Sequence, residues 1–130
     1  MQEQTIRIRW RDIDAYGHVN NAVYLNYLEE CRDRWVRQAL GDAFNFVIVR
    51  VAIDYRRELS LDDEEITVGC RGTGYGSSSI RTSEHIVARE GILAAEAESV
   101  VVKHDVDARR SVAFTEAERR LLDAAIAADA

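Results

Sequence analysis

The sequence has 130 residues, and a chain of this length buries roughly two thirds of its unfolded surface, which is enough for one core and one domain over residues 1–130. Its net charge of -6 at pH 7 argues against a nucleic-acid partner, because phosphate backbones are bound by a surplus of Lys and Arg. No apolar run approaches the ~20 residues that span a bilayer, so membrane insertion is not expected.

The first element predicted is a strand at the N-terminus. Met1–Thr5 is polar and lacks the basic and then apolar pattern of a secretory signal, which predicts a cytoplasmic protein. In Thr5–Trp10 the apolar residues Ile6, Ile8 and Trp10 alternate with arginines. This period of two is typical of a strand with one buried face.

A loop and a long helix follow. The segment Arg11–Asn21 mixes Asp, Gly, His and Asn without an apolar period, which predicts an ordered loop. Apolar side chains then recur at helical spacing, at Tyr24, Leu28, Cys31 and Trp35. Asn20 or Asn21 suits the N-cap, and Gly41 suits the C-terminal stop. The spacing predicts one buried central helix.

The middle of the chain predicts four further strands. They are Phe46–Tyr55, Ile66–Tyr75, Ser79–Ala88 and Leu93–Lys103, each rich in β-branched residues. Short breaks rich in Gly, Ser or acidic residues separate them, which favours successive antiparallel pairing. Because the run Phe46–Ile53 is apolar on both faces except at Arg50, we expect it inside the sheet with the helix packed on one side.

The chain is expected to close with a short helix. Thr115 and Glu118 match a capping box, and an apolar stripe follows at Leu121, Leu122, Ala125 and Ile126. Cys31 and Cys70 have neither redox nor metal-ligand spacing, so both are expected to be reduced and buried. The three histidines are dispersed, and we expect no metal.

The loop before the central helix concentrates the polar chemistry of the chain. RDIDAYGHVNN, Arg11–Asn21, places two carboxylates, an imidazole and amides next to a helix N-terminus. Free N–H groups at such a terminus suit an oxygen that gains negative charge, and a nearby carboxylate suits a base or nucleophile. Turn and cap residues have the same composition, so a purely structural role is the alternative.

The longer run RWRDIDAYGHVNNAVYLNYLEECR, Arg9–Arg32, resembles the 4-hydroxybenzoyl-CoA thioesterase-like branch of the hotdog-fold acyl-CoA thioesterases. The resemblance implies an α+β hotdog fold, in which a curved antiparallel sheet of about five strands wraps around the long helix. It implies hydrolysis of a fatty or aromatic acyl-CoA to free acid and CoA, with coenzyme A as part of the substrate and no separate cofactor.

The resemblance also assigns roles to individual residues. Asp14 corresponds to the family's catalytic carboxylate, as nucleophile or as general base, whereas Asp12 is expected to fix the loop. The N–H of Asn21 corresponds to the group that polarises the thioester carbonyl. The remaining residues assigned to substrate binding are Gly17, His18, Asn20, Tyr24, Ser78 and Ser79. A turn role for Gly17, loop hydrogen bonding for His18 and core packing for Tyr24 are the alternatives.

Two other functions remain open at this point. One is a catalytically silent hotdog subunit that binds an acyl thioester. The other is an enoyl-thioester hydratase or dehydratase, which needs a paired His and Asp that His18 does not supply in this context. Because a single sheet around one helix leaves an open face and open edges, we expect a homodimer or homotetramer with the site between subunits.

Overall fold

The computed structural model of the chain describes residues 1–42 and 45–130. The strands are β1 (Gln2–Arg7), β2 (Phe46–Tyr55), β3 (Glu65–Tyr75), β4 (Ser79–Val87), β5 (Leu93–Asp105) and β6 (Arg110–Ser111). The helices are α1 (Asn21–Leu40) and α2 (Glu116–Asp129). Neither helix in the described ranges is long and apolar enough to cross a membrane.

The strands form one antiparallel sheet in the order β1-β3-β4-β5-β2, with β6 paired to the end of β5. The successive pairing of β3, β4 and β5 was predicted and is confirmed. Helix α1 packs across the inner face, against β1, β3 and β4, and α2 covers part of α1 and β3. The sheet therefore has one face buried by helices and one open face.

Helix α1 has the limits and the buried stripe that its sequence predicted. The Asn20 side chain caps the first turn by accepting a hydrogen bond from the Ala22 N–H at 2.9 Å. Gly41 follows the last turn with φ +88°. The residues of α1 that are buried are Tyr24, Tyr27, Leu28, Cys31, Arg32, Trp35, Val36 and Leu40. The helix is thus the centre of the core.

Two strand predictions were wrong in detail. The first strand ends at Arg7, and Trp10 lies in a short 3-10 turn with 81% of its surface exposed. Strand β2 is an edge strand, because it pairs only with β5. A run that is apolar on both faces is typical of an interior strand, yet Ile48 and Val49 are 48% and 58% exposed here.

A buried ion pair joins α1 to the sheet. Nη1 of Arg32 donates to both carboxylate oxygens of Glu84, at 3.0 and 3.1 Å, and to the Ser99 hydroxyl at 3.0 Å. Glu84 also accepts from the hydroxyls of Ser99 and Thr82, at 2.7 and 3.1 Å. The Arg32 and Glu84 side chains are 8% and 0% exposed. Because its members belong to α1, β4 and β5, this cluster sets the position of the helix on the sheet.

The closing helix α2 has the predicted capping box between Thr115 and Glu118. Near its other end, the Asp129 carboxylate accepts hydrogen bonds from the Trp35 indole at 2.7 Å and from the Gly72 N–H at 3.0 Å. The end of α2 is thereby attached to both α1 and β3.

Removing one member of the buried ion pair is expected to be costly. Arg32→Met leaves the Glu84 carboxylate buried without its cation, and we expect a loss of about 3–5 kcal/mol in the free energy of unfolding, measured by urea denaturation. The double variant Arg32→Met with Glu84→Leu is expected to recover much of this loss, because no charge is left buried. Arg37→Met is the control, because Arg37 pairs with Asp33 on the exposed surface. A loss in Arg32→Met no larger than in this control would contradict the anchoring role.

Candidate active site

The loop before α1 is folded back on itself by its own backbone. Ile13 and Val19 form a single antiparallel bridge, and the Asp14 N–H donates to the His18 carbonyl at 2.8 Å. At the turn, the Gly17 N–H donates to the Asp14 carbonyl at 3.2 Å, and Gly17 has φ +86°. A side chain is strained at this backbone angle, which is the physical reason for glycine here. Gly17 therefore has the turn geometry that was the alternative to substrate binding, and its role in substrate binding stays a prediction.

The Asp14 carboxylate is half-buried and lies inside this turn. Its Oδ1 accepts hydrogen bonds from the backbone N–H groups of Tyr16 at 2.9 Å and His18 at 3.2 Å. Among the described residues, no donor contacts its Oδ2. One oxygen therefore fixes the carboxylate in the loop, and the other is open to a ligand.

The Asp12 carboxylate is 1% exposed and holds the loop in place. Oδ2 accepts from the Arg9 backbone N–H at 2.9 Å and the Tyr27 hydroxyl at 2.7 Å, and Oδ1 accepts from the Arg9 guanidinium. Burial alone would raise the pKa of this carboxyl, but the hydrogen bonds from Arg9 and Tyr27 outweigh burial and lower the pKa below its usual value. The loop-fixing role predicted for Asp12 is confirmed.

The backbone N–H of Asn21, at the tip of α1, has no acceptor among the described residues. Asn20 caps the Ala22 N–H with its side chain, and its own N–H donates to the Asp12 carbonyl at 2.9 Å. Within residues 1–42 and 45–130, the N–H of Asn21 makes no hydrogen bond. A free N–H at a helix N-terminus carries partial positive charge, so this position suits an oxygen that becomes negatively charged.

Asp14 and the tip of α1 border the same recess, which has a volume of about 260 Å³. Its walls are formed by Asp14, His18, Val19, Asn21, Tyr24, Tyr55, Arg56, Arg57 and Glu58. The structure thus brings together Asp14, His18, Asn21 and Tyr24 from the residues predicted from sequence. Gly17 shapes the turn, and Asn20 caps the helix.

Strand β2 contributes a wall that sequence reasoning missed. The Tyr55 hydroxyl donates to the Asn21 carbonyl at 3.0 Å, and the Tyr55 ring meets the Tyr24 ring edge to face at 5.0 Å. Tyr24 is buried, and its hydroxyl donates to the Arg57 carbonyl at 3.0 Å. The cluster of Tyr, two Arg and Glu just after an apolar strand was the available sequence signal. Nothing in the sequence placed this strand end beside the helix tip.

Ser78 and Ser79 lie away from this recess. Ser79 pairs with Val102 of β5, whereas Tyr55 pairs with Ala95 of the same strand. Val102 and Ala95 are seven residues apart along β5, which is roughly 23 Å of strand. Within one copy of the chain these serines are not part of the recess, and their role in binding stays a prediction.

Comparison with known proteins shows the family of the chain. A family model described as thioesterase-like superfamily matches residues 8–124. The chain belongs to this superfamily. As a thioesterase it is similar to the long-chain acyl-CoA thioesterase FadM of Escherichia coli (strain K12), with 33% identity over 122 residues, 88% of this chain and 90% of that protein.

Solved thioesterases share the whole fold. A thioesterase from Thermus thermophilus, solved with coenzyme A and Zn, is 34% identical with a TM-score of 0.84, over 97% of this chain and 95% of that chain. YbaW, a probable thioesterase from Escherichia coli, is 28% identical with a TM-score of 0.80, over 97% and 99% of the two chains. The predicted hotdog architecture and the prediction of a thioester hydrolase are thereby confirmed.

The lowered pKa of Asp12 predicts how acid affects this thioesterase. Ionised Asp12 contributes stability above the ordinary carboxyl pKa of 3.8, and this contribution is lost as the pH falls through the lower pKa of the folded state. Asp12→Asn is expected to lose about 1.5–3 kcal/mol at pH 7, and its difference from the wild type is expected to shrink below pH ~3.8.

Urea denaturation at several pH values between 7 and 3 measures this difference. Asp62→Asn is the matched control, because Asp62 is an exposed carboxylate of the same type. A difference for Asp12→Asn that stays constant across the whole pH range would show that its ionisation is not what stabilises the loop.

Proposed function

We propose that this thioesterase hydrolyses acyl-CoA thioesters to free acid and coenzyme A in the recess between Asp14 and the tip of α1. The observation that carries the proposal is that Asp14, whose second carboxylate oxygen has no donor among the described residues, lines the same recess as Asn21, whose N–H has no acceptor among them. A base or nucleophile and an electrophilic group are the two parts that acyl transfer requires.

The proposed reaction places the thioester carbonyl oxygen at the Asn21 N–H. As water or the carboxylate attacks the carbonyl carbon, this oxygen becomes negative and is stabilised by the N–H and by the positive end of the helix dipole. Acting as a base, Asp14 takes the proton of the attacking water, and the C–S bond then breaks to release the CoA thiolate. Acting as a nucleophile, the Asp14 carboxylate forms an anhydride with the acyl group as the C–S bond breaks and the CoA thiolate leaves. Water then hydrolyses the anhydride to the free acid and restores the Asp14 carboxylate.

The acyl group that we propose is fatty or aromatic. A long-chain acyl-CoA thioesterase at 33% identity over most of both chains supports a fatty acyl group. The aromatic rings of Tyr24 and Tyr55 offer an apolar wall beside the helix tip. We also propose that His18, Asn20 and Gly17 hold the loop around the bound thioester.

Replacing Asp14 tests the chemistry without disturbing the loop. Asp14→Asn keeps an Oδ1 acceptor for the N–H groups of Tyr16 and His18, but removes the ionised oxygen. We expect the rate of thiol release from a panel of acyl-CoA substrates to fall roughly 10²- to 10⁴-fold. The urea midpoint should stay close to that of the wild type.

The neighbouring carboxylate provides the comparison for this experiment. Asp12→Asn is expected to lower stability while its folded fraction keeps most of its turnover, because Asp12 is buried away from the recess and holds the loop only. Full activity in Asp14→Asn, measured on protein of wild-type stability, would refute the assignment of Asp14.

We further propose that the enzyme works as a homodimer or homotetramer with the site completed by a second copy. Edge strand β2 supports this, because it has an unpaired backbone edge and three consecutive exposed apolar residues, Val47, Ile48 and Val49. An apolar open edge is a template for pairing with another chain. Pairing there gives Ser78 and Ser79 of one copy a route to the recess of another.

A charge on the open edge tests the assembly. Val49→Lys adds a cation to β2, and we expect light scattering to show a shift from an oligomer to a monomer. The rate of thiol release is expected to be lost in parallel. Val106→Lys is the matched control, because Val106 is 59% exposed in a turn outside the sheet edge, close to the 58% of Val49. A fully active wild-type monomer at micromolar concentration would exclude a shared site.

The reaction is proposed to take place in the cytoplasm. Cys31 and Cys70 are buried, free thiols that take no part in a disulfide. Unpaired cysteines are typical of a reducing compartment, and this is the observation that supports the placement.

A further inference from the structure

The outer face of the sheet, which points away from α1, carries a second recess of about 270 Å³. Arg50 on β2 and Arg81 on β4 both pair with Val100 of β5, so these three residues form one row across the strands. Arg71 on β3 pairs with Ser83, which lies two residues along β4 from Arg81 and therefore on the same face of the sheet. Three arginines from three strands therefore line one cavity.

None of these arginines has an ionic partner in the part of the chain that the structure describes. Other exposed arginines do, as Arg56 does with Glu96. One carboxylate, Glu98, borders the recess without forming an ion pair, so the recess has more positive than negative charge in a chain of net charge -6. Like charges placed close together repel one another, and a bound anion would remove this repulsion.

The backbone below the recess makes room for one of the guanidinium groups. A bulge interrupts the pairing of β3 with β4 between Gly72 and Gly74. A Cβ built at Gly74 would clash with Nη2 of Arg81, so the guanidinium lies directly against the glycine backbone. The absence of a side chain at Gly74 therefore leaves room for the guanidinium of Arg81 at this position.

We infer that Arg50, Arg71 and Arg81 form a binding site for a phosphate-bearing anion. Planar guanidinium groups donate paired hydrogen bonds to phosphate oxygens, and the Ser83 hydroxyl in the same recess is a further donor. The phosphate has two possible sources. One is the nucleotide part of a CoA thioester, which rests on the function proposed above, and the other is a free phosphorylated ligand that binds apart from the reaction.

Calorimetric titration of the intact protein with inorganic pyrophosphate and with coenzyme A tests the site. Arg81→Gln removes one guanidinium, and Gly74→Ala displaces it without changing any charge. Each is expected to weaken pyrophosphate binding roughly three- to tenfold, as expected for loss of a charge-assisted hydrogen bond at an exposed site. Arg7→Gln is the control, an exposed arginine on β1 outside this recess, and should bind as the wild type does.

The KM for acyl-CoA separates the two sources. If Arg81→Gln and Gly74→Ala raise KM with kcat unchanged, the phosphates belong to the substrate; if pyrophosphate binding weakens and KM stays the same, the ligand is separate. Wild-type affinities in both variants overturn the site. Dissociation of an oligomer in both variants also overturns it, by assigning the arginines to a contact with a second copy. Thiol release by the wild type reports the proposed function independently of these titrations.

Discussion

The loop that carries the candidate active site is held in place by one buried carboxylate, that of Asp12. The carboxylate accepts hydrogen bonds from Arg9, before the loop, and from Tyr27 on the central helix. The backbone carbonyl of Asp12 accepts a hydrogen bond from the N–H of Asn20, the helix cap. These bonds compensate the cost of burying a charge. Because the loop is attached at both ends to the same point, Asp14 two residues later is presented beside the helix tip.

The position of that tip is set in turn from inside the core. The Arg32–Glu84 cluster connects α1 to β4 and β5. Closer to the C-terminal end of α1, the indole of Trp35 donates to Asp129 of α2. A buried ion pair adds little net stability over apolar packing, but it is directional. A helix held only by apolar contacts has several ways to slide or rotate, whereas this one has its open N–H at a fixed place.

Two exposed surfaces of the sheet have a distinct chemical character. The edge of β2 is apolar, and the outer face of the sheet carries arginines without ionic partners among the described residues. The recess at Asp14 is bordered by Tyr55 and by the three charged residues that follow it, Arg56, Arg57 and Glu58.

The sequence by itself determined the elements whose signals are local. The caps of α1 at Asn20 and Gly41, the buried stripe from Tyr24 to Trp35 and the capping box at Thr115 depend on residues a few positions apart. The motif that contains Asp12 and Asp14 is equally local, which is why the resemblance found the loop and the family. Trp10 and the end of β1 were misplaced, because alternation continues past the last paired residue.

Only the tertiary structure decided what depends on strand order and register. The apolar run of β2 would look the same in the sequence of an interior strand. Only the strand order of the folded sheet shows that β2 lies at the edge. The contact of Tyr55 with the helix tip joins residues 34 positions apart, and Arg50, Arg71 and Arg81 meet through cross-strand neighbours on separate strands. Such proximity is set by long-range pairing, which no local pattern of residues specifies.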